Sequence, residues 1–399
     1  MNAVPRLSRD YAGPALLSYG FRPFFLLGPL YAALAMFFWL SVFYGWMPLA
    51  SAFAPRDWHA HELLYGYLPA VITGFLLTAV PNWTGRLPLQ GTPLLILVLA
   101  WVAGRLAINF SAALGALAAT LIDSAFLFLV AAATAREIIA GNNWRNLKVL
   151  APVLLLGAGN IFFHVEAYVS GLADVSIRAG QAAVLLLIMI IGGRVIPSFT
   201  RNWLARQGTG RLPASFGRFD ALAIALSAAA LVLWIIQPSG IHVAAGLLTA
   251  AGLQSARLVR WAGDRTLADR LVLVLHLGYA FVPFGFLLSA LAALDFAPPS
   301  AGTHAWMAGA AGIMTLAVMS RATLGHTGRP LAASPGTQAV YAAALIAAGA
   351  RTLAALMPAS ASGLLHLAFF AWIGAFGGFC LLYGPMLLRP RLNTAAPPP

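Results

Sequence analysis

The sequence predicts an all-α polytopic membrane protein with about twelve transmembrane helices. Of its 399 residues, 61% are hydrophobic and only 9% are charged, whereas a soluble domain carries about 25% charged residues. The apolar residues fall in runs of helical length, and about 20 such residues suffice to cross a bilayer. Because only short polar segments join these runs, we predict a single integral membrane domain over residues 1–399.

The apolar runs follow one another closely along the chain. The third and fourth runs are joined by a very short connection near Asn109, and the seventh is barely long enough to span. The cysteine count is one, Cys380, so the chain has no intramolecular disulfide and no thiolate-rich metal site. The predicted spans are 23–45, 60–80, 92–109, 112–134, 149–170, 177–197, 219–236, 241–260, 271–294, 304–321, 338–356 and 362–388.

The basic residues predict how the chain is oriented. With the N-terminus in the cytoplasm, the 24 lysines and arginines, among them Arg6 and Arg9, fall on the cytoplasmic side with few exceptions. This is the bias that the positive-inside rule describes, so we predict that both termini are cytoplasmic. The net charge of +13 is then a product of these loops. We therefore expect membrane lipid and not nucleic acid as a partner. The exceptions are Arg56, Arg105, Arg178 and Arg351.

A weak internal repeat indicates a modular plan. One alignment of the chain with itself places His61 on His304, and another places Trp83 on Trp203. Spans two, six and ten would then be equivalent, and the protein would consist of three four-helix units. Internal repeats of this kind are common in membrane folds.

Eight histidines are the candidate ligands of this chain. Ionisable residues inside spans are rare and usually face the bundle interior or a cavity. Imidazoles on separate helices without thiolates suit haem or copper better than zinc. We interpret two of them, His242 and His366, as interfacial residues that bond headgroups or water. On the predicted topology His59, His61, His164, His242, His304 and His366 lie near periplasmic helix ends, and His276 and His326 near cytoplasmic ones.

Helical spacing separates two of these histidines. His59 and His61 are two positions apart, which is about 200° around a regular helix. Either His59 lies in the preceding loop and folds back, or the two histidines serve different sites. His164 shares a polar stripe with Asn160 and Tyr168. Glu166 projects from another face of the same run, where its carboxylate needs a partner.

Two arginines near cytoplasmic helix ends each have two possible roles. Arg194 follows a Gly-Gly pair near the end of span six, and Arg321 ends span ten. Both could simply extend to cytoplasmic headgroups. Alternatively they anchor an anionic group such as haem propionates, because guanidinium groups pair well with carboxylates.

Six stretches of the chain, in order from the first span to the tenth, have a distinctive composition. They are FRPFF at 21–25, WHAHE at 58–62, GFLLTAVPNWTGR at 74–86, GGRVIPSFTRNWL at 192–204, LHLGYAF at 275–281 and MSRATLGHTGRP at 319–330. Together these stretches resemble the NnrS family closely.

The resemblance implies a multi-pass protein of the bacterial inner (cytoplasmic) membrane that binds haem b and copper. It further implies a role in nitric oxide metabolism and in tolerance of nitrosative stress around denitrification, with nitric oxide or a related small molecule as partner. Metal ligation is expected at His59, His61, His164 and His304. The wider set of cofactor-binding residues that we predict is His59, His61, His164, His276, His304, His326, Arg194 and Arg321.

Three further ideas follow from the sequence. The repeat suggests that His61 and His304 are opposed axial ligands of one haem. A different class of function, a transporter with a buried histidine and arginine path for substrate or protons, is the alternative. A structural or assembly role for respiratory complexes is the third hypothesis.

The orientation can be tested with reporter fusions. Green fluorescent protein fused to the C-terminus should fluoresce, and alkaline phosphatase at the same place should be inactive, because both report a cytoplasmic end. Phosphatase inserted between the first two spans should be active. An active C-terminal phosphatase fusion would contradict the orientation that the basic residues predict.

Overall fold

The computed structural model describes residues 11–392, which form helices and loops without any strand. Every apolar run predicted from the sequence is helical in the structure, so the all-α membrane fold is confirmed. Arg6 and Arg9 lie outside the described residues. The orientation of the termini stays a prediction.

The long helices are numbered α1 to α12 in chain order. The connection near Asn109 contains one short extra helix, Ser111–Leu114. The bounds are α1 Phe21–Phe43, α2 Pro55–Thr84, α3 Thr92–Asn109, α4 Ala116–Ala140, α5 Trp144–Ser170, α6 Asp174–Leu204, α7 Arg218–Ile236, α8 Ile241–Val259, α9 Arg270–Ala293, α10 Pro299–His326, α11 Pro335–Leu356 and α12 Pro358–Leu388.

Within the described residues, 11 of these helices are long and apolar enough to cross a membrane. The exception is α8, which has 19 residues and thus sufficient length. Its mean hydropathy is lower because His242, Gln254 and Arg257 replace apolar residues in it. The sequence prediction of about twelve spans therefore differs from the structure at this one helix.

Each of α2, α6 and α10 contains a π-helical segment. The segments are Glu62–Tyr67, Ile188–Gly192 and Ala305–Ala311. The segment in α2 begins directly after His61, and the segment in α10 begins directly after His304. Single π turns are uncommon and often lie at functional sites. The same three helices are the ones that the repeat makes equivalent, although the repeat itself stays a prediction.

The described chain forms two compact units. The first comprises the residues up to Gly180, Ala322–Pro330 and the residues from Phe379 onward. The second comprises Gln181–Arg321 and Leu331–Gly378. The chain passes between the units within α6, within α10, in the loop between α10 and α11, and within α12.

In the first unit, the FRPFF stretch at the start of α1 packs against α2 and α12. Phe24 and Phe25 are fully buried, and a side chain at Gly74 of α2 would come within 2.7 Å of the Phe25 ring. Arg22 donates to the carbonyl oxygens of Leu387 at 2.8 Å and Arg389 at 2.7 Å, at the end of α12. Basic side chains stabilise helix C-termini in this way, so this stretch holds helices together.

In the second unit, the polar face of α8 forms a closed hydrogen-bond network around Arg257. This guanidinium is completely buried. It donates to the Tyr279 hydroxyl at 2.8 Å, to the Gln254 amide oxygen at 2.9 Å and to an Asp220 carboxylate oxygen at 3.2 Å. A fourth bond reaches the carbonyl of Met189 in the π segment of α6. The network explains why α8 carries polar residues.

Candidate metal centre

Two histidines and an aspartate of the first unit converge on one point. The ligand atoms of His61, Asp123 and His164 all lie within 4.8 Å of one another. One Asp123 carboxylate oxygen, Oδ2, is 3.2 Å from His61 Nε2 and 3.1 Å from His164 Nε2. All three side chains are buried. This arrangement brings together three donor atoms from α2, α4 and α5.

The start of α2 is fixed by residues ahead of His61. Pro55 occupies the first turn, where its missing N–H costs nothing. Asp57 is buried and accepts a hydrogen bond of 2.8 Å from the backbone N–H of Ala173, just before α6. Arg56 contacts the same carboxylate at 2.7 Å. The helix therefore begins at a fixed place, which sets where His61 lies.

Glu62 and Arg105 form a layer behind the donor atoms. His61 Nδ1 lies 2.9 Å from Glu62 Oε1. Arg105 donates from Nη1 to the same Glu62 oxygen at 2.5 Å and from Nη2 to Asp123 Oδ1. A carboxylate on one ring nitrogen of a histidine orients the other nitrogen toward a metal. The layer thus directs His61 Nε2 and Asp123 Oδ2 to the same side.

Asn160 completes the cluster from α5. Its amide nitrogen donates to Asp123 Oδ2 at 2.7 Å, and its amide oxygen lies 2.9 Å from His61 Nε2. The ring of Tyr168 is stacked on His164 with centroids 6.0 Å apart. The polar stripe Asn160–His164–Tyr168 that the sequence predicts is therefore real, and it faces the cluster.

The cluster contains more acidic than basic groups. Glu62 and Asp123 supply two carboxyl groups and Arg105 one guanidinium, so with both carboxyl groups ionised and both imidazoles neutral one negative charge is in excess. The Phe53 ring lies 5.3 Å from His61 and 5.2 Å from His164, and Phe163 lies 4.9 Å from His61. An uncompensated charge among such apolar groups is costly. The surroundings therefore favour a bound cation.

Several buried polar atoms at the cluster have no hydrogen-bond partner. They are Nδ1 of His164, Oε2 of Glu62 and the hydroxyl of Tyr65, whose ring is 5.5 Å from His61. Buried polar groups without partners are rare in folded proteins, because each costs free energy. None of these three atoms is one of the converging donor atoms, so they show that the cluster is incompletely paired and do not themselves mark the metal position.

The other predicted histidines lie in different surroundings. His59 stacks on Trp39 with centroids 4.5 Å apart, so it and His61 serve different places, the second of the two readings. His276 Nε2 is 2.9 Å from the Thr200 hydroxyl. His304 and His326 have other contacts as well. His304 Nδ1 is 2.7 Å from the carbonyl oxygen of Ser300, and the His326 ring packs on the rings of Tyr19 and Phe21.

The two arginines that the sequence singles out, Arg194 and Arg321, differ in their surroundings. Arg194 is exposed, whereas the Arg321 guanidinium lies over the ring of Phe199, 4.1 Å from its centroid. Their anchoring of an anionic group stays a prediction.

Glu166 accepts hydrogen bonds from the backbone N–H groups of Val175 and Ser176 at the start of α6. It therefore caps that helix.

Sequence reasoning missed Asp123 and Arg105 as site residues. Each is a charged residue inside a predicted apolar run. Such placement is costly unless the charges pair, and this signal could have identified both. The topology prediction instead places Arg105 among the periplasmic basic residues, where a partner is not required.

The family model described as NnrS protein matches residues 15–391, nearly the whole chain. No curated protein matches the chain.

The role of Arg105 can be measured as stability. In Arg105→Met the buried carboxylates of Glu62 and Asp123 lose their cation, so the free energy of unfolding should fall by about 3–5 kcal/mol. A lower Tm of the purified protein in detergent would show this. The double variant Arg105→Met/Asp123→Asn should recover part of the loss, because one buried charge is removed as well.

The matched control is Arg211→Met. Arg211 pairs with Asp264, and both side chains are more than half exposed, so the loss should stay below about 1 kcal/mol. Equal losses for Arg105→Met and Arg211→Met, or a double variant no more stable than the single one, would contradict the assigned role.

Proposed function

The chain belongs to the NnrS family, and from this premise we propose that its His61–Asp123–His164 cluster holds a copper ion. We further propose that the protein acts in nitric oxide metabolism or in protection against nitrosative stress, in the bacterial inner membrane. The observation that carries the proposal is the convergence of three donor atoms, from three different helices, in one buried cluster.

The donor set is suited to copper. His61 and His164 would bind through Nε2 and Asp123 through Oδ2, the atoms that approach one another. Imidazole and carboxylate ligands without thiolate are typical of copper, non-haem iron or zinc sites. The family resemblance favours copper among these. Glu62 orients His61, and Arg105 holds the second oxygen of Asp123.

The surroundings of the cluster suit a small uncharged substrate. Phe53 and Phe163 exclude water from the imidazoles on one side. Nitric oxide is small and neutral, so it can enter a buried site of a membrane protein where an ion would be excluded. Copper, when bound, supplies a redox-active cation at which such a molecule can be held.

The resemblance also implies haem b, but the donor atoms of His61, Asp123 and His164 do not support a haem at this cluster. Two apolar grooves, of about 290 and 330 Å³, have no histidine in their lining. Both ring nitrogens of His61 contact side chains of the cluster, so any metal on this histidine must displace one of them, and copper on Nε2 would displace the contact with Asn160. Because the donor atoms of Asp123 and His164 converge on the same nitrogen, we favour a copper ion at this histidine and assign no residue to haem.

The transporter alternative is not favoured by the family membership. Its expected signature differs as well. A transporter with a polar path would purify as a colourless protein, and its metal content would not depend on His164.

Metal content tests the cluster directly. His61→Ala, His164→Ala and Asp123→Ala should each lose most of the copper that the purified wild-type protein binds, because each removes one of three ligands. Glu62→Gln should weaken copper binding by about 10- to 100-fold, since it alters only the group behind His61. Mass spectrometry of the metal and a copper titration measure the two effects.

The control for Glu62→Gln is Glu166→Gln in the same unit. Glu166 accepts hydrogen bonds only from α6 among the contacts described for it, so its replacement should leave copper affinity unchanged. Full copper content in all three ligand variants would refute the site.

The physiological role needs a separate test. A strain that lacks this gene should grow poorly with a nitric oxide donor, and the wild-type gene should restore growth. His164→Ala should restore little of it despite normal abundance in the membrane, whereas the control His366→Ala should restore it fully. Normal growth with His164→Ala, in protein shown to lack copper, would argue against copper-dependent protection.

A further inference from the structure

An apolar groove lies on the first unit between the start of α3 and the end of α4. Its volume is about 290 Å³. We call it the α3–α4 groove. Both helices are apolar enough to cross a membrane, so the groove belongs to the part of the protein that membrane lipid surrounds. Its walls include Leu89, Pro93 and Ile96 on one side and Leu129, Ala133 and Arg136 on the other.

One end of the α3–α4 groove is basic. Arg136, which lines the groove, donates to Glu137 Oε1 at 2.7 Å, and Arg86 donates to Glu137 Oε2 at 2.9 Å. Two guanidinium groups therefore share one carboxylate, and a positive charge remains. The Arg136 side chain is 62% exposed and the Arg86 side chain 45% exposed, whereas Glu137 is largely buried. The excess charge is thus presented outward.

The segment after α4 extends this basic end. It is tied beside the end of α2, because the amide nitrogen of Asn143 donates to the carbonyl oxygen of Trp83 at 2.5 Å. Arg145 and Lys148 in this segment are exposed, and so is Trp144, at 60%. Tryptophan and basic residues together are typical of the membrane–water interface. The groove therefore runs from the hydrocarbon region to a positively charged interface.

We propose that the α3–α4 groove binds one anionic phospholipid, with an acyl chain against the apolar walls and its phosphate at Arg136. A neutral phospholipid would match the walls but not the charge. Inorganic phosphate would match the charge but not the walls. Basic residues near the membrane surface attract anionic lipids in general, and the apolar groove adds a binding surface for the acyl chain of the lipid. The assignment is independent of the copper site.

The test uses delipidated full-length protein in detergent. Phosphatidylglycerol, phosphatidylcholine and inorganic phosphate are titrated separately, and the apparent affinity is obtained from the rise in Tm. Phosphatidylglycerol should stabilise the wild-type protein at the lowest concentration, and inorganic phosphate should have no effect at matched concentration. Equal stabilisation by phosphatidylcholine, or an effect of phosphate alone, would overturn the proposal.

Two variants separate the charge from the groove. Arg136→Gln should weaken phosphatidylglycerol binding about fivefold, which corresponds to the loss of one basic residue at the surface. Ala133→Phe keeps every charge but fills the groove, so it should abolish the preference for phosphatidylglycerol. The control Arg270→Gln removes an exposed arginine at the start of α9 and should bind like wild type.

Folding of each variant is checked by its Tm without added lipid. Wild-type affinity for phosphatidylglycerol in either Arg136→Gln or Ala133→Phe would overturn the proposal. So would a loss in Arg270→Gln as large as in Arg136→Gln, because the effect would then follow net charge and not the groove.

Discussion

The pairing of Arg105 with two carboxylates is the interaction on which the first unit depends. Glu62 and Asp123 stand on different helices, and each would be an unpaired charge in an apolar environment without this guanidinium. The guanidinium fork spans both, because its nitrogens diverge in a fixed plane. Since Asp123 also contacts both imidazoles, the same cation fixes where His61 and His164 meet. The geometry of the candidate metal centre is therefore a consequence of one buried ion pair.

The sequence predicts the fold well because hydrophobicity alone specifies membrane-spanning helices. The existence and order of the long helices, the separation of His59 from His61 and the polar stripe of α5 all follow from composition and the helical period, whereas the helix bounds differ by up to seven residues. The partners of Asp123 do not, because the crossing of α2, α4 and α5 decides them, and periodicity within one helix says nothing about crossings. The reduced hydropathy of α8 is similar: Arg257 looks unfavourable until Asp220 and Tyr279 are placed beside it.

The two units solve the problem of a buried arginine in a similar way. Arg105 lies against Gly66, inside the π segment of α2, and Arg257 lies against Gly193, directly after the π segment of α6. A side chain at Gly66 would come within 2.5 Å of the Arg105 guanidinium. The glycine thus leaves space for the guanidinium, and the wider π turn disturbs the regular ladder of backbone bonds at the same place. In the second unit, Arg257 donates a hydrogen bond to the carbonyl of Met189, which lies in the π segment of α6.

What distinguishes the two clusters is how completely their polar atoms are paired. Around Arg257 the amide of Gln254, the hydroxyl of Tyr279 and the carboxylate of Asp220 bond one another or the guanidinium. Around Arg105 the imidazole of His164 and the carboxylate of Glu62 keep buried atoms without partners. A network selected for stability alone would pair them, since each unpaired atom costs free energy. The complete network around Arg257 is therefore suited to hold helices together, whereas the incomplete one around Arg105 is not explained by stability alone.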